Sequence, residues 1–199
     1  MTGCADIAGV LLAAGRGTRF GGNKLEAMLG DKMLGLHAAQ TLAGLGCGHL
    51  FAVHDPAHVV LASDLRKEGY ALIDNEDPAA GQAHSLILAV ERAMNSDAAA
   101  IMVCLGDMPF ITAAHLATIY AAHCAQPVRV VASAMGPTAS PPALFPRSTW
   151  PELLSLRGDA GARSLLKQAI HITATAKELT DIDNPYVLAA QQPVQIGSN

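Results

Sequence analysis

Short apolar runs alternate with stretches of helical period along most of this 199-residue chain. Ile7 to Ala13, Leu50 to His54, Tyr70 to Ile73, Ala100 to Leu105 and Val128 to Ser133 read as strands. Between them, Met33 to Leu45, His58 to Lys67, Gln82 to Met94 and Thr112 to His123 read as helices. Ala100 to Leu105 is apolar without a break, as a strand buried on both faces requires. The pattern predicts an α/β protein: three layers, α/β/α, with helices on both faces of a mostly parallel sheet. Ala134 to Pro146, with Gly136-Pro137 and Ser140-Pro141-Pro142, breaks the alternation and predicts an irregular arm before a helix near Trp150. Residues after Gln191 lack apolar periodicity and predict a frayed tail.

Composition narrows the function classes. A hydrophobic content of 51% is enough for one sizeable core, so a single domain is expected. The formal charge of −4, the absence of a Lys/Arg cluster and only 4% aromatic residues argue against nucleic acid as a partner. Cys4, Cys47, Cys104 and Cys124 form no C-x-x-C pair, and no basic stretch followed by an apolar one opens the chain, so a reducing cytoplasm is the expected location. The apolar runs fall short of the roughly 18 to 20 residues of a membrane span, and no membrane association is expected.

Candidate chemistry begins where the first strand ends. Ligands of open α/β sheets sit at the carboxyl ends of strands, near a switch in strand order. Here that position carries Gly15-Arg16-Gly17-Thr18-Arg19-Phe20-Gly21-Gly22-Asn23-Lys24. The dinucleotide fingerprint fails at Phe20, where its third glycine should stand. The P-loop pattern fails because Asn23 separates Gly22 from Lys24 and Leu25 supplies no hydroxyl. What survives is a run of glycines that lets backbone N–H groups crowd around an anion, with Arg16, Arg19 and Lys24 bringing positive charge, which suits a polyphosphate. Two more strand ends add carboxylates. Asp107 follows the buried Ala100 to Leu105 run, and Asp181 and Asp183 are one residue apart, so an extended segment aims both to the same side. Separated aspartates facing a triphosphate loop would suit Mg2+, which takes one or two carboxylates, waters and phosphate oxygens. Taken singly, Asp107 reads equally well as a turn residue and Asp183 as the N-cap of a helix at Pro185.

In combination these stretches resemble the molybdopterin nucleotidyltransferases, most closely the cytidylyltransferase branch. Six pieces in order carry the resemblance across nearly the whole chain: Leu12-Ala13-Ala14-Gly15 with Arg19-Phe20-Gly21 and Lys24; Gly81-Gln82-Ala83-His84-Ser85-Leu86; Leu105-Gly106-Asp107-Met108-Pro109; Leu144-Phe145-Pro146-Arg147; Gly158-Asp159-Ala160-Gly161-Ala162-Arg163; and Asp181-Ile182-Asp183-Asn184-Pro185. The resemblance implies a nucleotide-diphospho-sugar-transferase-like fold over residues 1–199. In it a nucleotide-binding half (about 1–110) meets a second-substrate half (about 111–191), followed by a tail (192–199). It implies transfer of CMP from CTP to the terminal phosphate of molybdopterin, with molybdopterin cytosine dinucleotide and pyrophosphate as products and Mg2+ or Mn2+ as the metal.

Carried over by position, Ala13, Ala14, Gly15, Arg16, Gly17 and Thr18 would hold the nucleotide. Arg19 and Lys24 would neutralise its β- and γ-phosphates, and Asp107 and Asp183 would bind the metal. Asp74, Asn75, Gly81 and Ser85 would meet base and ribose, whereas Phe145, Arg147, Asp159 and Arg163 would face the second substrate. The Ala13-Ala14-Gly15 form, with a methyl at Ala14, points to CTP rather than GTP. The chain departs from the family pattern at Phe20, where methionine is usual, at His84, where a small residue is usual, and at Ser140-Pro141-Pro142, where a G-x-P is common. Other substrates on the same fold remain open: GTP with molybdopterin, or a nucleotide with a sugar phosphate. So does a non-turning-over accessory role toward a recipient molybdenum hydroxylase.

Overall fold

A computed structural model of the chain describes residues 4–15, 17, 20, 23–157 and 162–191. Its spine is a seven-stranded sheet. The strands are β1 (Ile7–Ala13), β4 (His49–His54), β5 (Ala71–Asp74), β6 (Ala100–Leu105), β7 (Val131–Met135), β8 (Thr138–Pro146) and β9 (Ile170–Thr173), in the spatial order β5-β4-β1-β6-β8-β7-β9. Only β8 runs against its neighbours. A small hairpin, β2 (Met28–Leu29) with β3 (Lys32–Met33), stands apart from it.

Side chains alternate across the sheet and feed two separate cores. From β1, Ile7, Leu11 and Ala13 join one core and Ala8, Val10 and Leu12 the other. The first core is closed by helices α1 (Leu34–Ala43), α2 (Val59–Lys67) and α4 (Ala113–Ala125), through residues such as Leu42, Leu65 and Ile119. The second is closed by α3 (Gln82–Met94), α5 (Trp150–Leu154) and α6 (Arg163–Lys167), through Val90, Trp150 and Leu166. This is the three-layer α/β/α architecture with a mostly parallel sheet that the apolar pattern predicts. A last helix, α7 (Pro185–Gln191), leans on the first core with Val187 and Leu188.

One expectation is overturned. Ala134 to Pro146 is not an irregular arm: it completes β7, turns at Gly136, whose φ is +58°, and returns as β8. Prolines cannot donate to a ladder and are ordinarily kept out of a strand paired on both sides. Here Pro141 and Pro142, joined by a cis bond, fall where the β7–β8 register shifts, between the Ser133–Ser140 and Ala132–Ala143 pairs. The β6–β8 pairing begins only at Ala143, so no neighbouring strand needs their missing N–H groups. Ser133, fully buried, donates its hydroxyl to Pro142 O at 2.8 Å and meets His115 Nε2 at 2.8 Å, which holds the bulge to α4. The short strand β9 was also not anticipated, since four residues of Ile-His-Ile-Thr are too few to show a period.

From β1 the chain runs outward through β4 and β5 and then crosses back to β6 on the other side of β1. The carboxyl ends of β1 and β6 therefore flank the point where strand order switches. Gly106 N donates to Leu12 O at 2.9 Å and ties the two ends together.

Candidate active site

The switch point opens into a cleft of about 460 Å3. Its walls come from segments distant in sequence: Ala14 and Gly15 after β1, Lys24, Gly81 and Ser85 at the start of α3, and Asp107 after β6. Ala13 is buried beneath them. Gly17 has φ +53°, which bends the backbone just after Gly15, and its carbonyl accepts from Phe20 N at 2.7 Å. Arg16, Thr18 and Arg19, assigned to the nucleotide from sequence, lie outside the described residues.

The α3 wall depends on one glycine. Gly81 has φ +88° and ψ 178°, a conformation that only glycine holds without strain, and it turns the chain into α3 with no side chain capping the helix. The first N–H groups of this 13-residue helix thus lack an intrahelical acceptor and sit at the cleft wall, where acceptor atoms of a ligand would satisfy them. Pro78, Ala79 and Gln82 also line the cleft and were not singled out from sequence, although Gln82 stands inside the recognised Gly81 to Leu86 motif.

Two residues assigned to base and ribose are placed differently. Asn75 is fully buried; its amide donates to Ser85 Oγ at 3.0 Å and its Oδ1 accepts from Asp77 N at 3.0 Å. Its own N–H bonds His54 O at 2.8 Å, so Asn75 fastens the 77–81 loop and the start of α3 to the end of β4 rather than offering atoms to the cleft. Asp74 turns toward buried His54, with Oδ1 at 2.8 Å from Nε2.

At the other wall an ammonium sits between two carboxylates. Lys24 Nζ donates to Asp107 Oδ2 at 2.8 Å and to Asp183 Oδ1 at 3.0 Å. Its side chain is only 8% exposed, against 24% for Asp107 and 47% for Asp183. Burial alone would lower the Lys24 pKa, but the Asp107 charge and the hydrogen bonds to both aspartates outweigh it and raise it, so the ammonium stays protonated. Asp183 reaches this point because Ile182 beside it is fully buried and its N–H bonds Asp107 O at 3.0 Å. Asp181 and Asp183 flank that anchor. Partial desolvation, then the charges of Asp183 and Asp107, hold Asp181 above the usual carboxylate range. The alternative of Asp183 as a helix cap is not what is seen, because Asn184 Oδ1 accepts from Val187 N at 2.9 Å and caps α7 instead.

Of the residues assigned to a second substrate, Phe145 and Arg163 meet at one cavity that shares Leu12 and Gln82 with the cleft, and Arg147 stands apart. Arg147 is at the wrong end of the sheet: its guanidinium donates to the carbonyls of Met94 (3.0 Å), Ser96 (3.0 Å) and Ala98 (2.9 Å), just before β6 begins, and covers the Trp150 ring at 4.8 Å. It clamps the α3–β6 connection to β8. Phe145 is core, 2% exposed, and with Arg163 lines a side cavity of about 160 Å3. Asp159 lies outside the described residues. On the Asp107 side, a further hollow of about 240 Å3 shares Leu105 with the main cleft and is lined by Met108, Met135, Thr138, Leu179 and Asp181. Sequence inspection offered no sign of Met135 or Thr138, because it read their strands as an irregular arm.

Among the described residues no three His, Cys, Asp or Glu side chains form a ready metal cage, and no helix is long and apolar enough to cross a membrane. The carboxylates of Asp107 and Asp183 nonetheless fit a magnesium-type ion, which needs only one or two hard oxygens from protein, and they already converge on a cationic group.

Comparison with known proteins adds three findings. The sequence model of the MobA-like NTP transferase domain matches residues 9–174. Purine catabolism protein PucB of Bacillus subtilis (strain 168) is 31% identical over 193 residues, spanning 90% of this chain and 92% of PucB; nicotine blue oxidoreductase of Paenarthrobacter nicotinovorans is 29% identical over 176 residues, 81% and 82% of the two chains. Among solved structures, Rv0371c of Mycobacterium tuberculosis H37Rv superposes with a TM-score of 0.77 at 23% identity over 92% of this chain and 96% of its own. A complex of Rv0371c with manganese gives 0.75 at 22% identity over 94% and 97%.

Proposed function

Because the chain belongs to the family of MobA-like NTP transferase domains, we propose that it transfers CMP from CTP to the terminal phosphate of molybdopterin, releasing pyrophosphate. The observation that carries this reading is the meeting of the Gly15 turn, the open end of α3, Lys24 and Asp107 around one cleft at the strand-order switch. A cleft of about 460 Å3 is in the size range of small-molecule sites.

In the proposed reaction an oxygen of the acceptor phosphate attacks the α-phosphorus of CTP. A new P–O bond forms as the bond to the bridging oxygen breaks, and pyrophosphate leaves with that electron pair. No base is required, since a phosphate monoester is already ionised near pH 7, with a second pKa of about 6. The protein's task is to place the two phosphates in line and to offset the charge they bring together. The backbone at Gly15 and the first turn of α3 supply N–H donors, and Lys24 supplies a positive charge for the polyphosphate. Asp107 and Asp183 would hold the divalent ion, which when bound supplies neutralising charge at the reacting phosphates. Asn75 acts through Ser85 and the 77–81 loop, whose position it sets. Ala14, buried to 4% and lining the cleft, supports the pyrimidine choice by occupying space with its methyl. The hollow beside Asp107, shared through Leu105, supports an acceptor approaching from the side of β7 and β8.

The test is ligand-induced stabilisation followed by turnover. At 100 times its Kd a ligand stabilises by about 2.7 kcal/mol, a readable shift in melting temperature. CTP with Mg2+ is expected to exceed GTP, UTP and ATP, and molybdopterin with CTP is expected to release pyrophosphate. A preference for GTP would keep the chemistry and replace the base. Stabilisation by no nucleotide, with no pyrophosphate formed, would overturn the reading.

A further inference from the structure

Lys24 spends two of its three ammonium donors on carboxylates. Its ammonium lies between Asp107 Oδ2 and Asp183 Oδ1, the two oxygens the proposed function gives to the metal. Resting on that reading, we propose that Lys24 is an internal placeholder cation: it holds the carboxylates together in the nucleotide-free protein, and the metal displaces it onto the phosphates.

The argument is one of charge and space. Asp107 Oδ2 and Asp183 Oδ1 both lie within 3.0 Å of one nitrogen, so the two carboxylates stand close enough to repel each other. A cation among them lowers that repulsion, and Lys24 provides it from a nearly buried position. A divalent ion coordinated by the same oxygens at about 2.0 to 2.1 Å would stand against the ammonium, and like charges at that separation in a partly desolvated site exclude one another. Lys24 has somewhere to go, because it lines the same cleft as Gly15 and Gly81. Both polar atoms of the neighbouring Asn23 carboxamide are buried and find no hydrogen-bond partner among the described residues, so the 23–24 segment is not locked in place through that side chain.

The consequence is thermodynamic coupling. A polyphosphate that accepts Lys24 vacates the carboxylates for metal, and a metal that expels Lys24 supplies a charge to the polyphosphate, so each strengthens the other's binding. Metal alone binds weakly, because it must displace a bonded ammonium that has no anion to receive it. The chain thereby avoids holding a metal when there is no nucleotide to use it.

The experiment measures Mn2+ binding to the protein without nucleotide, by loss of the free-ion electron paramagnetic resonance signal. It compares wild type with Lys24→Met, which keeps the buried stem and removes the charge, and with Lys24→Gln as a second variant should the first fold poorly. The proposal expects Mn2+ affinity to rise by about tenfold or more in the Lys24 variants, in the range of ordinary site-to-site coupling, and the gain to vanish when Asp107→Ala is added. Equal or weaker Mn2+ binding by the variants, with wild type taking up Mn2+ once CTP is present, overturns the placeholder while the metal reading stands. No protein-dependent Mn2+ uptake in any form, with or without CTP, overturns both.

Discussion

Lys24 and Arg147 are two cations at opposite ends of β6, and their partners separate their roles. Arg147 spends its donors on three main-chain carbonyls and lays its guanidinium plane over Trp150. Those partners are fixed by the backbone, so the charge has no second place to go. Lys24 is more deeply buried, yet among the described residues its ammonium bonds side-chain carboxylates that are themselves partly open to solvent. On the proposed reading a metal takes its place between those partners and a phosphate receives its charge. A basic residue in a family motif is thus not marked as functional by its charge. What distinguishes the two is whether the groups that satisfy the charge are free to change.

The largest expected effect lies on the carboxylate side of this comparison. Asp107→Ala should lower nucleotidyl transfer by about a hundred- to a thousandfold, the scale seen when a group stabilising developing charge is lost, with the far-UV spectrum unchanged. Activity within about tenfold of wild type would remove Asp107 from the chemistry. At the other end of β6, Arg147→Ala should cost about 1 to 3 kcal/mol in chemical denaturation, because three carbonyls lose a charged donor, and should leave the KM for nucleotide alone. Unchanged stability with weakened use of the acceptor would return Arg147 to the site. Asn75→Ala should raise the KM for nucleotide by about tenfold with a smaller change in kcat, since the Ser85 hydroxyl and the Asp77 amide lose their anchor at about 1 to 2 kcal/mol. A fall in kcat alone would argue for direct contact with the reacting groups. Smallest is the effect of Lys24→Met on folding: Asp107 and Asp183, 24% and 47% exposed, can rehydrate once the ammonium is gone, so the loss should be about 1 kcal/mol. A loss as large as that of Arg147→Ala would make both cations structural clamps and erase the distinction.

Much of the fold was legible from the apolar pattern, and the reason is visible in β6. A strand buried on both faces must be apolar throughout, and Ala100 to Leu105 is. The strand β8 was not legible, since Pro141 and Pro142 signal a break unless one knows that a register shift in β7 and the end of the β6 pairing leave their nitrogens unasked. Within the site, Gly15, Lys24, Gly81, Ser85 and Asp107 stand in motifs and gather at one cleft. Arg147 and Asn75 stand in or beside motifs as well, but one faces the far end of the sheet and the other faces inward. Motif membership gives a residue's place along the chain, and only packing decides which way its side chain points.

The chain's own pattern determined the layers. Unbroken apolar runs alternating with stretches of period 3.6 can bury their surfaces only by stacking helices on both sides of a sheet, and a glycine-rich turn after the first strand then falls at its carboxyl edge. The tertiary structure alone decided what the ammonium of Lys24 meets. Its partners are 83 and 159 residues away along the chain, at the end of β6 and beside the buried Ile182. No local preference encodes that meeting. It exists because strand order brings β1 beside β6, and because Ile182, seeking the core, carries Asp183 to the same wall.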